Sequence, residues 1–448
     1  MVRKRNVWPP LLGFTSPFLV QDAHPQATPS AQCPNPSAVS DILTHRQWGK
    51  LQALLGQAIE RSCFQKKRFE ASQLHSLQDF LQKAPFTRKA DLVADQATHG
   101  PYGENRTQPA ESYIRFCQTS GTTARPLSIW DTAQDWEWLL ENWVEGYRLA
   151  GVTPGMVAFY AFSFGPFLGF WTAFEAGLRM GLRCIPGGGL GTAARLHAVL
   201  EHRVEVLCCT PTYALHLAAF ARREGIDLRH SAVRKILVAG EPGGSLPAVR
   251  QQLEEAWNGA EVLDHYGMTE VGPVAFAASG KPGALRILEE RYLAEIIHPE
   301  LNTPVQEGES GELVLTPLGR SGWPLFRYRT GDLVLHKRTA DGLLLEGGIL
   351  ARIDDMVIVR GVNLYPSAVD DVVRSVPEVE EYRVSLFTKA GLAEVSLEVE
   401  SNGAFGVSSK LEAAFERAFS LRIPVREVSL GTLPRFELKA QRWVRAHG

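Results

Sequence analysis

The chain has 448 residues, 45% of them hydrophobic and 21% charged, an ordinary globular composition with length for two or three domains and a large core. Its 47 basic and 49 acidic residues nearly cancel, so no overall basic field marks nucleic acid or an anionic membrane surface as a partner. The six cysteines (Cys33, Cys63, Cys117, Cys184, Cys208 and Cys209) form no CxxC pair and no cysteine–histidine cluster at zinc-ligand spacing, which points to reduced thiols and a cytoplasmic setting.

The first residues, MVRKRNVWPPLLGF, are basic and then apolar, but Pro9 and Pro10 break the apolar part, unlike a secretory signal. Residues 24–38, HPQATPSAQCPNPSA, are rich in Pro, Ser and Ala, so 1–44 is read as a partly mobile leader. Apolar residues then recur on one helical face through 45–64, with shorter helices expected at SLQDFLQKA and after PFTRKADL. Met156 to Phe174, MVAFYAFSFGPFLGFWTAF, is 19 residues without a charge, long enough to cross a bilayer. Gly165-Pro166 at its centre and the lack of a basic N-terminal flank favour a buried strand, a turn and a core helix instead.

From about 112 to 350, β-branched runs (VEVLCCT, KILVAGE, AEVLDHYG) alternate with helical stretches (YALHLAAFARREG, LPAVRQQLEEAW). That alternation predicts an α/β fold, a large domain with mostly parallel sheet and covering helices. GELVLTPL and the run to GDLVLHK read as antiparallel strands of a β-rich subdomain. After ARIDD, the text suggests strand, turn, helix, strand: a small α+β domain over 354–448, following a large domain over 45–353.

Ligands on parallel sheets bind beyond the carboxyl ends of the strands. CTP at 209–211, AGEPGG at 239–244 and YGMTE at 266–270 fall there. The loop QTSGTTARPL (118–127) lacks the lysine of a GxxxxGK[ST] phosphate loop; Thr119, Ser120, Thr122 and Thr123 offer hydroxyls around Gly121, a way to cradle an anion or simply a Ser/Thr turn. Thr269 can bond a phosphate oxygen while Glu270 holds Mg2+, and Asp332 in YRTGD can accept two ribose hydroxyls at once; singly, each also reads as an ordinary surface or turn residue.

The order is more informative than any one motif. TSGTT, AGEP, YGMTE, YRTGD, ARIDDMVIVRG and a lysine in LPRFELKAQRW follow one another as in the adenylate-forming superfamily of acyl-CoA synthetases, peptide-synthetase adenylation domains and luciferases. The chain most resembles the phenylacetate-CoA ligase family, through VIVRGVNLYPSAVDDVV, RKADL and CTPTYAL, over about 45–445. The resemblance implies that Thr119, Ser120, Gly121, Thr122, Thr123 and Arg125 wrap the β- and γ-phosphates of ATP. It places Gly240, Glu241 and Pro242 beside adenine, Tyr266 on the base with Gly267 giving it room, Asp332 on the ribose and Arg352 on the nucleotide. Asp354 becomes the hinge of the small domain, Gly361 a lining of the pantetheine tunnel, and Lys439 the catalytic lysine at the α-phosphate and attacking carboxylate. Phe164 and Phe167 match the family's aromatic acyl-pocket wall, while Phe170 and Trp171 fall in that region where smaller residues are usual, which implies an apolar, shallower pocket for a small aryl or short acyl acid.

The implied activity is ATP-dependent adenylation of a carboxylic acid followed by transfer to coenzyme A. Alternatives are loading of a carrier protein's phosphopantetheine or another nucleophile, and a non-catalytic binding relative. A homodimer is the implied assembly. The chain departs from the family at Ala124 and Arg125, where glycine and lysine are usual, at Ala351 for glycine, and at Phe436 and Leu438 for serine and glycine. Arginine keeps the charge but presents a planar fork instead of a point.

Overall fold

A computed structural model describes residues 36–70, 72–119, 126–360, 362–389, 392–403, 405–436 and 440–445. Most of the expected leader, Ser120 to Arg125, Gly361 and Lys439 lie outside the described residues. The first helix, Pro36–Arg61, begins inside the stretch read as leader.

One sheet of eleven strands dominates the described residues. Its parallel half, in spatial order, is Arg183–Pro186, Val157–Tyr160, Val206–Cys209, Lys235–Ala239 and Glu261–Met268. Helices Leu168–Met180, Thr192–Glu201, Pro211–Arg223 and Pro247–Ala256 connect these strands, as the alternation predicts. Every residue of Val157–Tyr160 and Val206–Cys209 is buried, because helices cover both faces. Successive side chains divide accordingly: Tyr160 and Cys208 join one apolar core, Phe159, Leu207 and Cys209 the other.

The antiparallel half continues through Gly272–Ala277, Leu285–Ile287, Gly342–Arg352, Tyr328–Thr339, Ser310–Pro317 and Tyr292–Ile297. The change from parallel to antiparallel falls at Glu261–Met268, which carries Tyr266 and Gly267. The uncharged stretch at 156–174 folds as strand, loop and helix, and no helix among the described residues is long and apolar enough to cross a membrane.

After Arg352 a short turn, Ile353–Asp355, leads into a third apolar core. Helices Pro366–Arg374 and Val407–Phe419 pack on a sheet ordered Val425–Val428, Leu392–Ser401, Val379–Lys389 and Trp443–Arg445. One detail differs from the sequence expectation. VNL, read as part of a turn, is a second short strand, Val362–Leu364, paired with Val357–Val359.

Candidate functional site: nucleotide motifs on one sheet edge

Parallel strands end on the same edge, so the loops after Tyr160, Cys209, Ala239 and Met268 leave the sheet side by side. The strand register adds a fifth motif, since Asp332 and Arg352 are direct partners across their antiparallel ladder. Twenty residues apart in sequence, they face each other because both strands reach the site in register.

Asp332 is the centre of this arrangement and is almost wholly buried. The Tyr266 hydroxyl donates to its Oδ2 at 2.6 Å, and Arg352 Nη1 donates to Oδ1 at 3.0 Å. Arg352 Nε also donates to Asp354 at 3.0 Å, joining the arginine expected at the nucleotide to the residue expected at the hinge. Burial pushes the Asp332 carboxyl up to about 6, against the opposing pull of Arg352 and the Tyr266 hydroxyl. Two oxygens offer about four lone-pair sites, so two remain for vicinal hydroxyls.

Glu270 is also buried, with Tyr328 Oη donating to its Oε1 at 3.3 Å and Lys89 Nζ 3.2 Å from the same atom. The backbone of the Thr269–Glu270 turn is held by Arg320, whose Nη1 donates to the Thr269 carbonyl at 2.9 Å and the Glu270 carbonyl at 3.0 Å. The other arms of Arg320 grip Asp131 bidentately, Nε to Oδ1 at 2.6 Å and Nη2 to Oδ2 at 2.7 Å, and both side chains are fully buried.

Gly240 and Gly267 are exposed. Gly240 takes φ +95°, which glycine adopts without steric cost. A Cβ on Gly267 would lie 2.7 Å from the Gly272 carbonyl oxygen, so only glycine keeps that turn open. Pro242 is exposed beside them, whereas Glu241 turns its carboxylate to two amides, Thr212 N–H on Oε1 and Ala440 N–H on Oε2, both at 2.9 Å. Thr119 stands at the entrance of the segment 120–125: its N–H donates to the Leu127 carbonyl at 3.1 Å, and its Oγ1 accepts from Leu127 N–H at 3.0 Å.

The four expected acyl-wall aromatics are half-buried and cluster together. Phe164 meets Trp171 at 5.1 Å and Phe167 meets Phe170 at 5.7 Å. Phe162, stacked on Phe170 at 4.5 Å, and Phe174, edge-on to Phe164 at 5.5 Å, complete the cluster. Phe164 sits at φ +53°, a conformation costly for a bulky side chain that its surroundings impose. The Gln118 N–H donates to the Pro166 carbonyl at 2.8 Å, tying this loop to the strand that enters the Thr119 segment.

Sequence reasoning missed Lys89, Asp131, Arg320 and Tyr328. Two of them had a signal: Lys89 lies in RKADL, whose text resembles the family, and Tyr328 opens the YRTGD motif that carries Asp332. His265 was also missed. It is buried between Trp143 and Phe276, with ring centroids at 4.3 and 4.5 Å, and neither ring nitrogen has a partner among the described residues. Burial drives its pKa down to about 3, so it is neutral.

A doubly wound sheet carrying these motifs on its carboxyl edge, followed by a small α+β unit, defines the class of the adenylate-forming enzymes. The AMP-binding enzyme profile matches residues 42–317, and the AMP-binding enzyme C-terminal domain profile matches 361–446. The chain belongs to the AMP-binding enzyme family and, within it, is phenylacetate-CoA ligase-like. It is 31% identical over 368 residues to phenylacetate-coenzyme A ligase of Thermus thermophilus, covering 80% of this chain and 81% of that one. To the enzyme of the same name from Escherichia coli it is 30% identical over 432 residues, covering 91% and 96%. Among solved structures it is similar to 2-hydroxyisobutyryl-CoA ligase in the postadenylation state in complex with R3-HIB-AMP, at TM-score 0.84, 25% identity and 94% coverage of each chain. Against the same enzyme in the thioesterification state with CoA the TM-score is 0.68, at 27% identity and 92% and 90% coverage.

Proposed function

We infer that the protein activates a carboxylic acid with ATP and passes the acyl group to coenzyme A. The carboxylate oxygen attacks the α-phosphorus and pyrophosphate leaves; the CoA sulfur then attacks the acyl carbon, and AMP departs with the electrons of the broken C–O bond. Splitting one difficult acylation into two displacements lowers each barrier. The observation that carries this reading is the convergence of Tyr266, Glu270, Asp332 and Arg352 on one sheet edge, in a chain that aligns along most of its length with acyl-CoA ligases.

In this reading Asp332 accepts the ribose hydroxyls, Tyr266 packs against the base, and Gly240 and Pro242 border it. Thr119 anchors the phosphate-wrapping loop, Ser120 to Arg125. Glu270 offers one hard carboxylate oxygen, and Mg2+ is normally held by one or two carboxylates with phosphate oxygens and water, so the site fits that ion. When bound, Mg2+ neutralises phosphate charge; Lys89 at 3.2 Å is the cation that Glu270 otherwise faces. Lys439 stabilises the negative charge that builds at the α-phosphate. Residues 45–353 form the adenylation domain and 354–448 a small domain swinging at Asp354, with Gly361 admitting the pantetheine arm.

The aromatic cluster around Phe164 favours an aryl or short acyl acid, since apolar walls exclude charged substituents. The experiment is to incubate a panel of such acids with ATP, Mg2+ and CoA and follow nucleotide and thioester by mass spectrometry. Acyl-CoA and AMP in equal amounts are expected. Pyrophosphate release indifferent to CoA would point to a carrier-bound thiol or another nucleophile, and silence across the panel to a binding relative.

A further inference from the structure

We propose that Glu241 is a positioning residue, a latch that holds the C-terminal segment in the arrangement used to form the adenylate. This rests on the two-step reading above. The motif places Glu241 beside adenine, yet its carboxylate is spent on two amides far apart in the chain. Oε1 accepts Thr212 N–H in the first turn of helix Pro211–Arg223, where Thr210 Oγ1 accepts the next amide, Tyr213 N–H, at 3.2 Å. Oε2 accepts Ala440 N–H, 199 residues further along. A carboxylate at a helix N-terminus is favoured by the helix dipole and the unpaired N–H groups there, so this end is fixed and the Ala440 end is the one that can part. Ala440 N–H belongs to the peptide bond that follows Lys439, so the contact acts within one residue of the catalytic lysine.

The surroundings are built to support it. Two residues on, Arg442 is buried and donates to Thr212 Oγ1 from Nη1 at 3.4 Å and Nη2 at 3.3 Å, while its Nε donates to Glu381 Oε1 at 2.6 Å. Nearby, Gln252 Nε2 donates to the Arg374 carbonyl at 2.8 Å. Thr212 is thus read twice from the C-terminal segment, through Glu241 by its amide and through Arg442 by its hydroxyl. The chain is also more similar to the postadenylation than to the thioesterification state of 2-hydroxyisobutyryl-CoA ligase. A rotation of the small domain about Asp354 would have to break both contacts.

The test uses the full chain with Glu241→Gln, which turns an NH2 donor toward one of the two amides, and Arg442→Lys, which keeps a charge beside Glu381 but shortens the reach to Thr212. Two readouts are taken: acid-dependent ATP–pyrophosphate exchange against thioester formation from supplied acyl-adenylate, and hydrogen exchange of the peptide containing Ala440. In Glu241→Gln the ratio of the first half-reaction to the second should fall about 10- to 100-fold, with KM for ATP little changed and protection at Ala440 lost. Arg442→Lys should shift the ratio the same way by less. Equal loss of both half-reactions, a rise in KM for ATP at constant kcat, or unchanged protection at Ala440 would overturn the latch. If wild type exchanges no pyrophosphate with any acid, the two-step reading has failed, and the hydrogen-exchange arm still decides whether Glu241 holds Ala440.

Discussion

Two arginine–aspartate pairs bond to the stretch from Tyr266 to Glu270, and they are built in opposite ways. Arg320 and Asp131 are fully buried and bidentate, and every guanidinium nitrogen has a partner, the remaining arm resting on the carbonyls of Thr269 and Glu270. Arg352 and Asp332 meet through a single bond at 3.0 Å, Arg352 is 41% exposed, and its other nitrogens lean on Asp354. The closed pair is scaffold: it fixes the turn that presents Glu270. The open pair keeps lone pairs and solvent access, so a ligand can join it without dismantling the core.

The largest effect should come from breaking the closed pair. Arg320→Met leaves Asp131 buried without its partner, a loss of about 3–5 kcal/mol measurable by urea denaturation. Adding Asp131→Leu should return much of that stability, because no charge then remains to be desolvated. If Arg320→Met instead unfolds like wild type but loses activity, Arg320 belongs with the open pair and the distinction collapses.

Asp332→Asn probes the other side. Stability should change little, while KM for ATP rises about 10- to 100-fold, the worth of hydrogen bonds to a charged group. Because the carboxyl is pushed up to about 6, wild-type affinity for ATP should weaken as pH falls through 6, and the Asn variant should be flat there. A pH-independent wild type would mean that the ribose is held elsewhere.

The smallest effect concerns a third buried ionisable group outside both pairs. His265 has its folded pKa near 3 and an ordinary value of 6.5, so between those limits the unfolded chain binds the additional proton. Its neutral burial is without cost above pH 6.5 and costs stability as pH falls below it, by about 1.4 kcal/mol per unit. Asp264 and Asp332, both raised to about 6, act in the opposite direction between 3.8 and 6 in wild type and variant alike. His265→Leu should therefore gain on wild type as pH is lowered from 7 to 5; parallel unfolding profiles would show that the ring is not held neutral.

The sequence made the sheet readable because each strand and helix writes its own period. It made Tyr266, Glu270 and Asp332 readable because short motifs keep their order even where their spacing varies. What stayed hidden depends on chain closure. Asp131 and Arg320 are 189 residues apart and belong to no motif, so nothing local announces their pairing. Lys89 stood in a recognisable stretch, but its partner Glu270 lies across the fold. Glu241 was legible as a residue and not as a contact, since the backbone sets its position while Thr212 and Ala440 set where its carboxylate turns. The uncharged run at 156–174 could not be separated from a membrane span by hydropathy alone; Gly165 and Pro166 in the loop before helix Leu168–Met180 are what divide it.

The central claim is that the open pair serves nucleotide-dependent acid activation, and the most direct measurement is exchange of labelled pyrophosphate into ATP without CoA, acid by acid. The account predicts exchange that needs both Mg2+ and a carboxylic acid, is strongest with an aryl or short acyl acid, and is weakened in Asp332→Asn. Thioester formation with ADP and phosphate as products, and no pyrophosphate exchange with any acid that is consumed, would contradict it.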